Sequence, residues 1–373
     1  MIKFNEVFVA SHEPQYAVQA INSGRLSSGQ EFTKRCLELL QIRFPHSRLF
    51  FTSSCTDSLE MAAVLAQISP GDEVILPSYT FTSTANAFAL RAATLIFADS
   101  QKSGPNIDLR HVEELITERT KVIVVVDYAG IEQDLDALRS LCNQRGIIIV
   151  QDAAQSFGAH FLDQDCVGKW ADLVCFSFHD TKPLRCGEGG LLVVNNPSLF
   201  SDAELVFEKG TNRSQFLKGE SARYEWQTIG SSYGCSELQT AVLLAQLEEE
   251  KRIIQGRNSL VHYYHSILNE LPIHLMQLPS NYYVNGSVYY ILLENFEVRE
   301  SLRAHLENNK IQAFFHYLCL HDSPYFSKHN KTQQLENAKR YEKTLLRLPM
   351  HNLLSYSDCD RVAEAIGSYF KNQ

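Results

Sequence analysis

Short runs of apolar residues alternate with segments of helical periodicity between residues 48 and 196. Residues 121–126 and 147–151 are almost entirely apolar, and residues 135–145 between them have a helical pattern that ends at Gly146. Strands that are apolar throughout and separated by helices are typical of a largely parallel sheet covered on both faces. The pattern therefore predicts an α/β unit. Its strands are predicted at residues 48–52, 73–76, 94–98, 121–126, 147–151, 173–178 and 190–194, and its helices at residues 56–67, 82–91 and 135–145.

The pattern changes after about Gly234. Leu238, Val242 and Ala245 recur near the helical period and predict one long helix over residues 237–268. Strands are then predicted at residues 288–293 and 312–316, and helices at residues 299–308, 335–346 and 357–369. We expect a large domain over residues 1–245 and a smaller C-terminal α+β domain over residues 246–373, on which the N-terminal segment is also free to pack.

Charge and cysteine content narrow the class of protein. Lys and Arg number 34 against 43 Asp and Glu, a formal net charge of −9. A chain of this charge is a poor partner for nucleic acid or an anionic membrane, and its apolar runs are far shorter than a membrane span of about 20 residues. None of the nine cysteines lies in a CxxC pair, which favours reduced thiols and a cytoplasmic protein. The 13 histidines show no HExxH or comparable spacing, so we expect no metal site.

The first candidate site is the hydroxyl-rich segment at residues 53–58, between a predicted strand and a predicted helix. A helix N-terminus offers unpaired N–H groups and a positive dipole end, which suit a phosphate. The alternative is a simple helix cap by Ser54 or Thr56. The chain contains no GxxxxGK[ST] and no GxGxxG motif, so this segment is neither a P-loop nor a dinucleotide-binding turn.

The second candidate is Asp152, directly after the strand predicted at residues 147–151. An acid at the carboxyl end of a parallel strand lies where α/β proteins bind ligands. Asp152 could pair with a protonated ring nitrogen, or it could cap a helix.

The third candidate is Lys182, which follows the strand at residues 173–178 and precedes the cluster Gly187, Gly189 and Gly190. A lysine sheltered from water loses its proton easily and can form a Schiff base. A single lysine in a loop is usually only solvated, but the preceding strand and the following glycine cluster favour a functional role for Lys182. Tyr79 follows another strand and could stack on a ring or belong to the core, whereas we expect His179 to pack.

Together these segments supply a phosphate cup, an acid for a pyridine nitrogen and a Schiff-base lysine. A protein that binds pyridoxal phosphate needs these three groups. The sequence therefore predicts one site for this cofactor.

The chain resembles the sugar aminotransferases of the DegT/DnrJ/EryC1/StrS family, a branch of the fold-type I pyridoxal phosphate enzymes. The resemblance covers nearly the whole sequence, and its motifs are individually weak but jointly specific. They lie at residues 26–29 (LSSG), 54–58 (SCTDS), 77–81 (PSYTF), 152–155 (DAAQ), 176–190, 236–239 (SELQ), 316–317 (HY) and 320–321 (LH).

The resemblance implies an aspartate aminotransferase-like fold, in which a large domain with a mostly parallel seven-stranded sheet joins a smaller α+β domain. It implies that Lys182 binds the cofactor, which alternates with pyridoxamine phosphate, that Asp152 pairs with its ring nitrogen and that Tyr79 stacks on its ring. Gln155 is expected near the ring hydroxyl, and the Cys55 backbone, Thr56 and Ser177 around the phosphate. Relatives complete the phosphate cup with an Asn from a partner subunit, where this chain has Ser232. A homodimer with active sites at the interface is therefore expected.

The resemblance also implies transfer of an amino group from L-glutamate to a nucleotide-linked 4-keto-6-deoxyhexose. Residues 209–216 and 230–233 are most similar to members that make dTDP-4-amino-4,6-dideoxygalactose for surface polysaccharide, such as O-antigen lipopolysaccharide or enterobacterial common antigen. Three alternatives stay open: the gluco epimer, amination of a 3-keto sugar, and a catalytically silent sugar-nucleotide sensor. Dehydratases of the family carry His in place of the lysine, so Lys182 argues against that reaction.

Substrate contacts are expected from two regions. Lys209 and Arg213 belong to a local basic group suited to the sugar diphosphate, although a solvated loop is the alternative. The residues expected to frame the hexose are Asn212, His316, Tyr317 and His321, the last with an equally plausible structural role.

Two departures from the family pattern concern specificity. The resemblance implies that many relatives have His where Asp127 stands, and an acid there changes the local charge near the cofactor. Whether Asp127 tunes the cofactor or the sugar, and with it the stereochemistry of the product, stays open. Residues 183–186, after Lys182, form a loop that is one residue shorter than in the similar members.

Overall fold

A seven-stranded sheet organises the first half of the chain in the computed structural model, which describes residues 1–163, 166–328 and 333–371. The strands are β1 (Arg48–Thr52), β2 (Glu73–Pro77), β3 (Thr94–Ala98), β4 (Thr120–Val126), β5 (Ile148–Asp152), β6 (His160–Phe161), β7 (Leu173–Ser177), β8 (Gly190–Val194), β9 (His274–Leu275), β10 (Tyr282–Tyr283), β11 (Tyr289–Leu292) and β12 (Leu345–Leu348). The large sheet has the order β1-β8-β7-β5-β4-β2-β3.

Only β8 runs against its neighbours within this sheet, pairing antiparallel with both β1 and β7, while β7, β5, β4, β2 and β3 pair in parallel. The mostly parallel seven-stranded sheet predicted from the sequence is thus confirmed. Its central strands are fully buried, as at Ile75, Val124 and Val150. The parallel strands β4, β5 and β7 end at one edge of the sheet, where ligands of α/β proteins bind.

Helices cover the sheet and build most of the rest of the described chain. They are α1 (Glu13–Asn22), α2 (Glu31–Arg43), α3 (Cys55–Leu65), α4 (Thr82–Ala89), α5 (Leu109–Leu115), α6 (Asp136–Arg145), α7 (Phe200–Phe207), α8 (Arg213–Leu217), α9 (Glu237–Glu248), α10 (Glu250–Leu268), α11 (Phe296–Asn308), α12 (Pro324–Ser327), α13 (Glu336–Thr344) and α14 (Tyr356–Lys371). Within the described ranges, no helix combines the length and the apolar character that crossing a bilayer requires.

The single helix predicted over residues 237–268 is in fact two helices. α9 and α10 are separated at Glu249, whose ψ of 9° lies outside the helical range. The Glu249 carboxylate accepts hydrogen bonds from the backbone N–H and the hydroxyl of Ser11, each at 2.7 Å. This break falls beside a contact with the distant N-terminal segment, which sequence periodicity does not report.

The strand predicted at residues 312–316 is wrong, and so is the end of the helix predicted at residues 335–346. Phe314 makes only an isolated bridge to Arg347. The helix ends at Thr344 because the next residues form β12, which pairs antiparallel with β11 and buries Leu345 and Leu346.

The N-terminal segment contacts elements from the C-terminal part of the chain. The Ile2 N–H donates to the Lys310 carbonyl at 2.8 Å, and the Met350 N–H donates to the Phe4 carbonyl at 3.1 Å. This segment therefore lies along the C-terminal elements, while the division of the chain near residue 245 stays a prediction.

Candidate active site

A cavity of about 610 Å³ lies at the carboxyl ends of β5 and β7, facing the start of α3. Several predicted site residues line it: Cys55, Thr56, Asp152, Gln155, Ser177, Lys182, His316 and Tyr317. Residues from opposite ends of the chain complete it, among them Phe4 and Arg347. The cavity therefore brings together residues from three separate segments: those predicted to bind a phosphate, the acid predicted to pair with a ring nitrogen, and the lysine.

Lys182 presents its amine to this cavity from the turn after β7. Its backbone N–H donates to the His179 carbonyl at 2.8 Å, which closes the turn. Burial lowers the pKa of Lys182, although Cys55 and Asp152 oppose the shift. A neutral amine is the nucleophilic and basic form of lysine, so this position suits Schiff-base and proton-transfer chemistry.

Asp152, the last residue of β5, points a buried carboxylate into the same cavity. Thr84 Oγ1 donates to Oδ2 at 2.7 Å, and the Ala154 N–H donates to Oδ1 at 3.2 Å. Burial raises the pKa of Asp152, while these two hydrogen bonds and Lys182 lower it. A cationic N–H of a ligand placed against Asp152 would stabilise the ionised carboxylate.

The start of α3 forms the opposite wall. Ser54 caps the helix by accepting a hydrogen bond from the Asp57 N–H at 3.1 Å. Cys55 and Thr56 are the first two helical residues, whose N–H groups have no acceptor within the helix. Thr56 donates its hydroxyl to Ser83 at 2.8 Å, and both side chains line the cavity. This N-terminus, with Ser177 nearby, can hold a phosphate.

A stacked aromatic pair forms a third wall. The His316 and Tyr317 rings lie 3.6 Å apart, and His316 Nδ1 shares a hydrogen bond with the Tyr128 hydroxyl at 2.7 Å. Burial, followed by Arg347 and Lys182, lowers the pKa of His316 well below its usual value, so this ring is neutral. Gln155 donates to the Tyr317 hydroxyl at 3.1 Å, which fixes the orientation of that ring.

Tyr79, expected to stack on the cofactor, does not line the cavity. It is almost fully buried, and its ring packs against Tyr128, Tyr317 and Tyr341 with centroids 5.6–6.1 Å away. The turn after β2 points Phe81 into the cavity instead, with 56% of its surface exposed. The candidate for stacking therefore becomes Phe81.

The residues predicted on the loop after α7 lie away from the cavity of their own chain. Lys209 and Ser232 are exposed, and Arg213 pairs with Glu208 at 3.4 Å. Asn212, expected to frame the hexose, is buried and makes its hydrogen bonds within the loop. Its amide donates to the Ser221 hydroxyl at 3.0 Å and to the Arg223 carbonyl at 2.9 Å, and accepts from the Glu225 N–H at 2.8 Å.

Two further predicted residues also face away from the cavity. His321 is buried, and its Nδ1 shares a hydrogen bond with Ser78 Oγ at 2.5 Å, which supports the structural alternative. Asp127 is turned inward, where Gln151 and Ser156 donate to its Oδ2 at 2.8 and 2.6 Å. The Asp127 side chain therefore does not line the cavity, whereas Val126, the residue before it, does.

Arg347, Ser83 and Phe4 line the cavity but were missed in the sequence. Ser83 lies within the first turn of α4, next to the predicted PSYTF segment, and could have been considered as a hydroxyl near a helix start. Arg347 and Phe4 have no such signal, because only the fold brings β12 and the N-terminal segment to this place.

The cavity residues fit pyridoxal phosphate. A buried carboxylate suits a pyridine nitrogen, the start of α3 suits a phosphate, and a buried amine suits an aldehyde. These groups converge on one space, as a single ligand with all three features requires. Within the described residues, no group of three His, Cys, Asp or Glu side chains is placed to hold a metal ion.

Comparison with known proteins supports this chemistry. A model of the DegT/DnrJ/EryC1/StrS aminotransferase family matches residues 9–367. The aminotransferase TlmJ from Streptoalloteichus hindustanus is 25% identical, with a TM-score of 0.90 over 100% of this chain and 99% of that one. DesV from S. venezuelae is 27% identical, with a TM-score of 0.86 over 96% of this chain and 94% of that one.

A Streptococcus pneumoniae structure in a PMP form shares the fold, at 24% identity, with a TM-score of 0.92 over the whole of both chains. The family model covers almost the entire sequence. The chain therefore belongs to the DegT/DnrJ/EryC1/StrS aminotransferase family, which makes it an aminotransferase that depends on pyridoxal phosphate.

Proposed function

We propose that this aminotransferase moves an amino group from L-glutamate to dTDP-4-keto-6-deoxyglucose, giving dTDP-4-amino-4,6-dideoxygalactose. The observation that carries the proposal is that the Lys182 amine and the Asp152 carboxylate, both buried, share one cavity with the start of α3. The sugar assignment rests on the similarity of residues 209–216 and 230–233 to members with that product. We further propose a cytoplasmic enzyme that serves surface-polysaccharide synthesis, such as that of O-antigen or enterobacterial common antigen.

Lys182, Asp152 and the phosphate-binding residues have separate roles in the proposed reaction. When bound, pyridoxal phosphate supplies an electron sink for the carbon that loses its proton. Lys182 takes the Cα proton of the amino donor and later delivers a proton to the sugar carbon, so the face it occupies sets the epimer. Asp152 would keep a proton on the ring nitrogen of the bound cofactor, and the Cys55 N–H, Thr56 and Ser177 would hold its phosphate.

The loop at residues 208–232 supports a homodimer with active sites at the interface. Its large apolar side chains are exposed, including Leu217 (65%), Trp226 (80%) and Ile229 (54%). Exposed apolar surface of this kind marks an interaction site. The hydrogen bonds of Asn212 hold the loop together, so it can present Lys209, Arg213 and Ser232 to the cavity of a second copy.

An assay with dTDP-4-keto-6-deoxyglucose and L-glutamate, with the product resolved by NMR, tests the proposal. An axial amine at C4 is the expected result, and the Lys182→Ala variant is the inactive control. An equatorial amine would favour the gluco epimer, and turnover only of 3-keto sugars would favour C3 amination. A protein that binds the cofactor but turns over neither glutamate nor any keto sugar would be a sensor.

A further inference from the structure

Arg347 is a cation in the cavity wall that the proposed chemistry does not use. It lies on β12, its neighbours Leu346 and Leu348 are fully buried, and its side chain is one of those lining the cavity. Lys182 and His316 line the same cavity, and Arg347 lowers the pKa of each.

No carboxylate within the described ranges pairs with Arg347. By contrast, Arg43 and Arg139 each contact a carboxylate at 2.7 Å, and the buried Arg257 donates to the Gly286 and Met350 carbonyls at 2.9 and 3.1 Å. The Nε atom of Arg347 is buried and, among the described residues, has no hydrogen-bond acceptor. A buried guanidinium donor without an acceptor is costly, so this one is suited to a ligand that supplies the acceptor.

The protein holds this guanidinium in place. One terminal nitrogen donates to the Phe315 carbonyl at 3.1 Å, and Cζ lies 4.8 Å from the centre of the Phe4 ring. Phe4 is itself fixed, because its N–H donates to Gln312 Oε1 at 2.9 Å. A planar guanidinium group held in this way binds a carboxylate with geometric specificity.

We propose that Arg347 binds a carboxylate of the amino-acid donor and of the 2-oxo acid formed from it. The inference deepens the proposed function and rests on its assignment of L-glutamate as the donor. The donor must place its Cα beside the Lys182 amine, so its carboxylates fall within the same cavity. The start of α3 is the place suited to the cofactor phosphate, which leaves Arg347 for a second anion.

The test measures the two half-reactions separately and adds a binding measurement. Glutarate, a dicarboxylate without an amino group, is titrated calorimetrically into the cofactor-loaded enzyme. The Arg347→Met variant is expected to bind it about 30-fold more weakly, the loss typical of a charge-assisted hydrogen bond. Arg347→Lys, which keeps the charge but not the planar guanidinium group, should fall between. Arg361→Met removes an exposed arginine of α14 and should leave binding unchanged.

The cofactor absorbance follows single turnovers. In Arg347→Met, the reaction of L-glutamate with the loaded enzyme should slow, and the reaction of the aminated enzyme with the keto sugar should be largely retained. Unchanged glutarate binding, or a loss confined to the sugar half-reaction, would overturn the proposal. If the parent enzyme uses no glutamate, the donor assignment and the role of Arg347 fall together. If only the keto sugar fails, the sugar assignment alone is wrong.

Discussion

Gln151 Nε2 donates a hydrogen bond to Asp127 Oδ2 at 2.8 Å, which holds the Asp127 carboxylate inside the protein and out of the active-site cavity. The same nitrogen donates to Glu132 Oε1, also at 2.8 Å. One amide therefore bridges two buried carboxylates beside the ends of β4 and β5. Asp127 therefore belongs to an interior cluster and not to the lining of the cavity.

The Asp127→Asn variant should form the same sugar epimer as the parent enzyme. Burial raises the pKa of Asp127, so the folded state favours its neutral form. Its contribution to stability is full below the unfolded pKa and is lost as the pH rises through the folded value. Asparagine stays neutral and keeps an acceptor for Gln151 and Ser156, so near pH 8 we expect about 1–2 kcal/mol of added stability. A changed epimer by NMR would contradict the interior role of Asp127.

The Glu132→Gln variant should flatten the pH dependence of unfolding. Burial raises the pKa of Glu132 to about 7, while hydrogen bonds from Gln151 and Gly168 oppose the shift. Its contribution to stability is therefore present below the unfolded pKa of 4.5 and lost as the pH rises through 7. The loss is on the order of 3 kcal/mol for a shift of this size. Melting temperatures between pH 5 and 9 measure it, and parallel curves for variant and parent would refute it.

Replacing Asp152 by Asn should lower kcat at least about a hundredfold, because the ring nitrogen loses its anionic partner. Thr84 donates to Asp152 Oδ2, so Thr84→Val should raise the carboxyl pKa and cost about tenfold. Thr84→Ser keeps the hydroxyl and serves as the matched control. Steady-state kinetics with cofactor absorbance measure these effects, and an unimpaired Asp152→Asn enzyme would exclude the assigned role.

Glu13→Gln should destabilise the protein by about 3 kcal/mol, since it leaves a largely buried arginine without its carboxylate. Glu13 Oε2 accepts from Arg185 at 2.7 Å, and its Oε1 accepts from the Ala10 N–H at 2.7 Å. Urea unfolding measures the loss. Glu6→Gln breaks the exposed pair with Lys3 and should change stability by less than about 0.5 kcal/mol. Equal effects of the two substitutions would contradict this account.

Phe81→Ala should weaken cofactor binding about tenfold, because the substitution removes the ring in the cavity that would stack on the cofactor. Tyr79→Phe keeps the buried ring against its aromatic neighbours and should leave cofactor affinity nearly unchanged. Titration of the apoenzyme, followed by absorbance, compares the two. Unchanged cofactor affinity in Phe81→Ala would contradict the stacking role of Phe81.

The central sheet could be predicted because its strands are buried on both faces. Val124 and Val150 are fully buried core residues, so the apolar runs in the sequence indicate their strands directly. The placement of Lys182 and Asp152 at one cavity could be predicted as well, since Lys182 follows β7 and Asp152 ends β5, where ligands of α/β proteins bind. Local pattern and local chemistry agree at these positions.

The remaining features depend on contacts between distant segments. The helix break at Glu249 falls beside a contact with Ser11, and β12 forms because β11 lies beside it. Arg347 reads as a single polar residue in an apolar strand, and nothing near it in sequence indicates a cavity. Tyr79 and Phe81 are both aromatic, and only the backbone path after β2 decides which one faces the cofactor site.

Borohydride reduction of the enzyme loaded with pyridoxal phosphate, followed by peptide mass spectrometry, shows whether Lys182 binds the cofactor. Reduction makes the bond between lysine and cofactor permanent, so the modified peptide identifies the lysine. We expect a pyridoxyl group on Lys182 and none at this site in Lys182→Ala. A modification on another lysine, with the Lys182 peptide unchanged, would contradict the account.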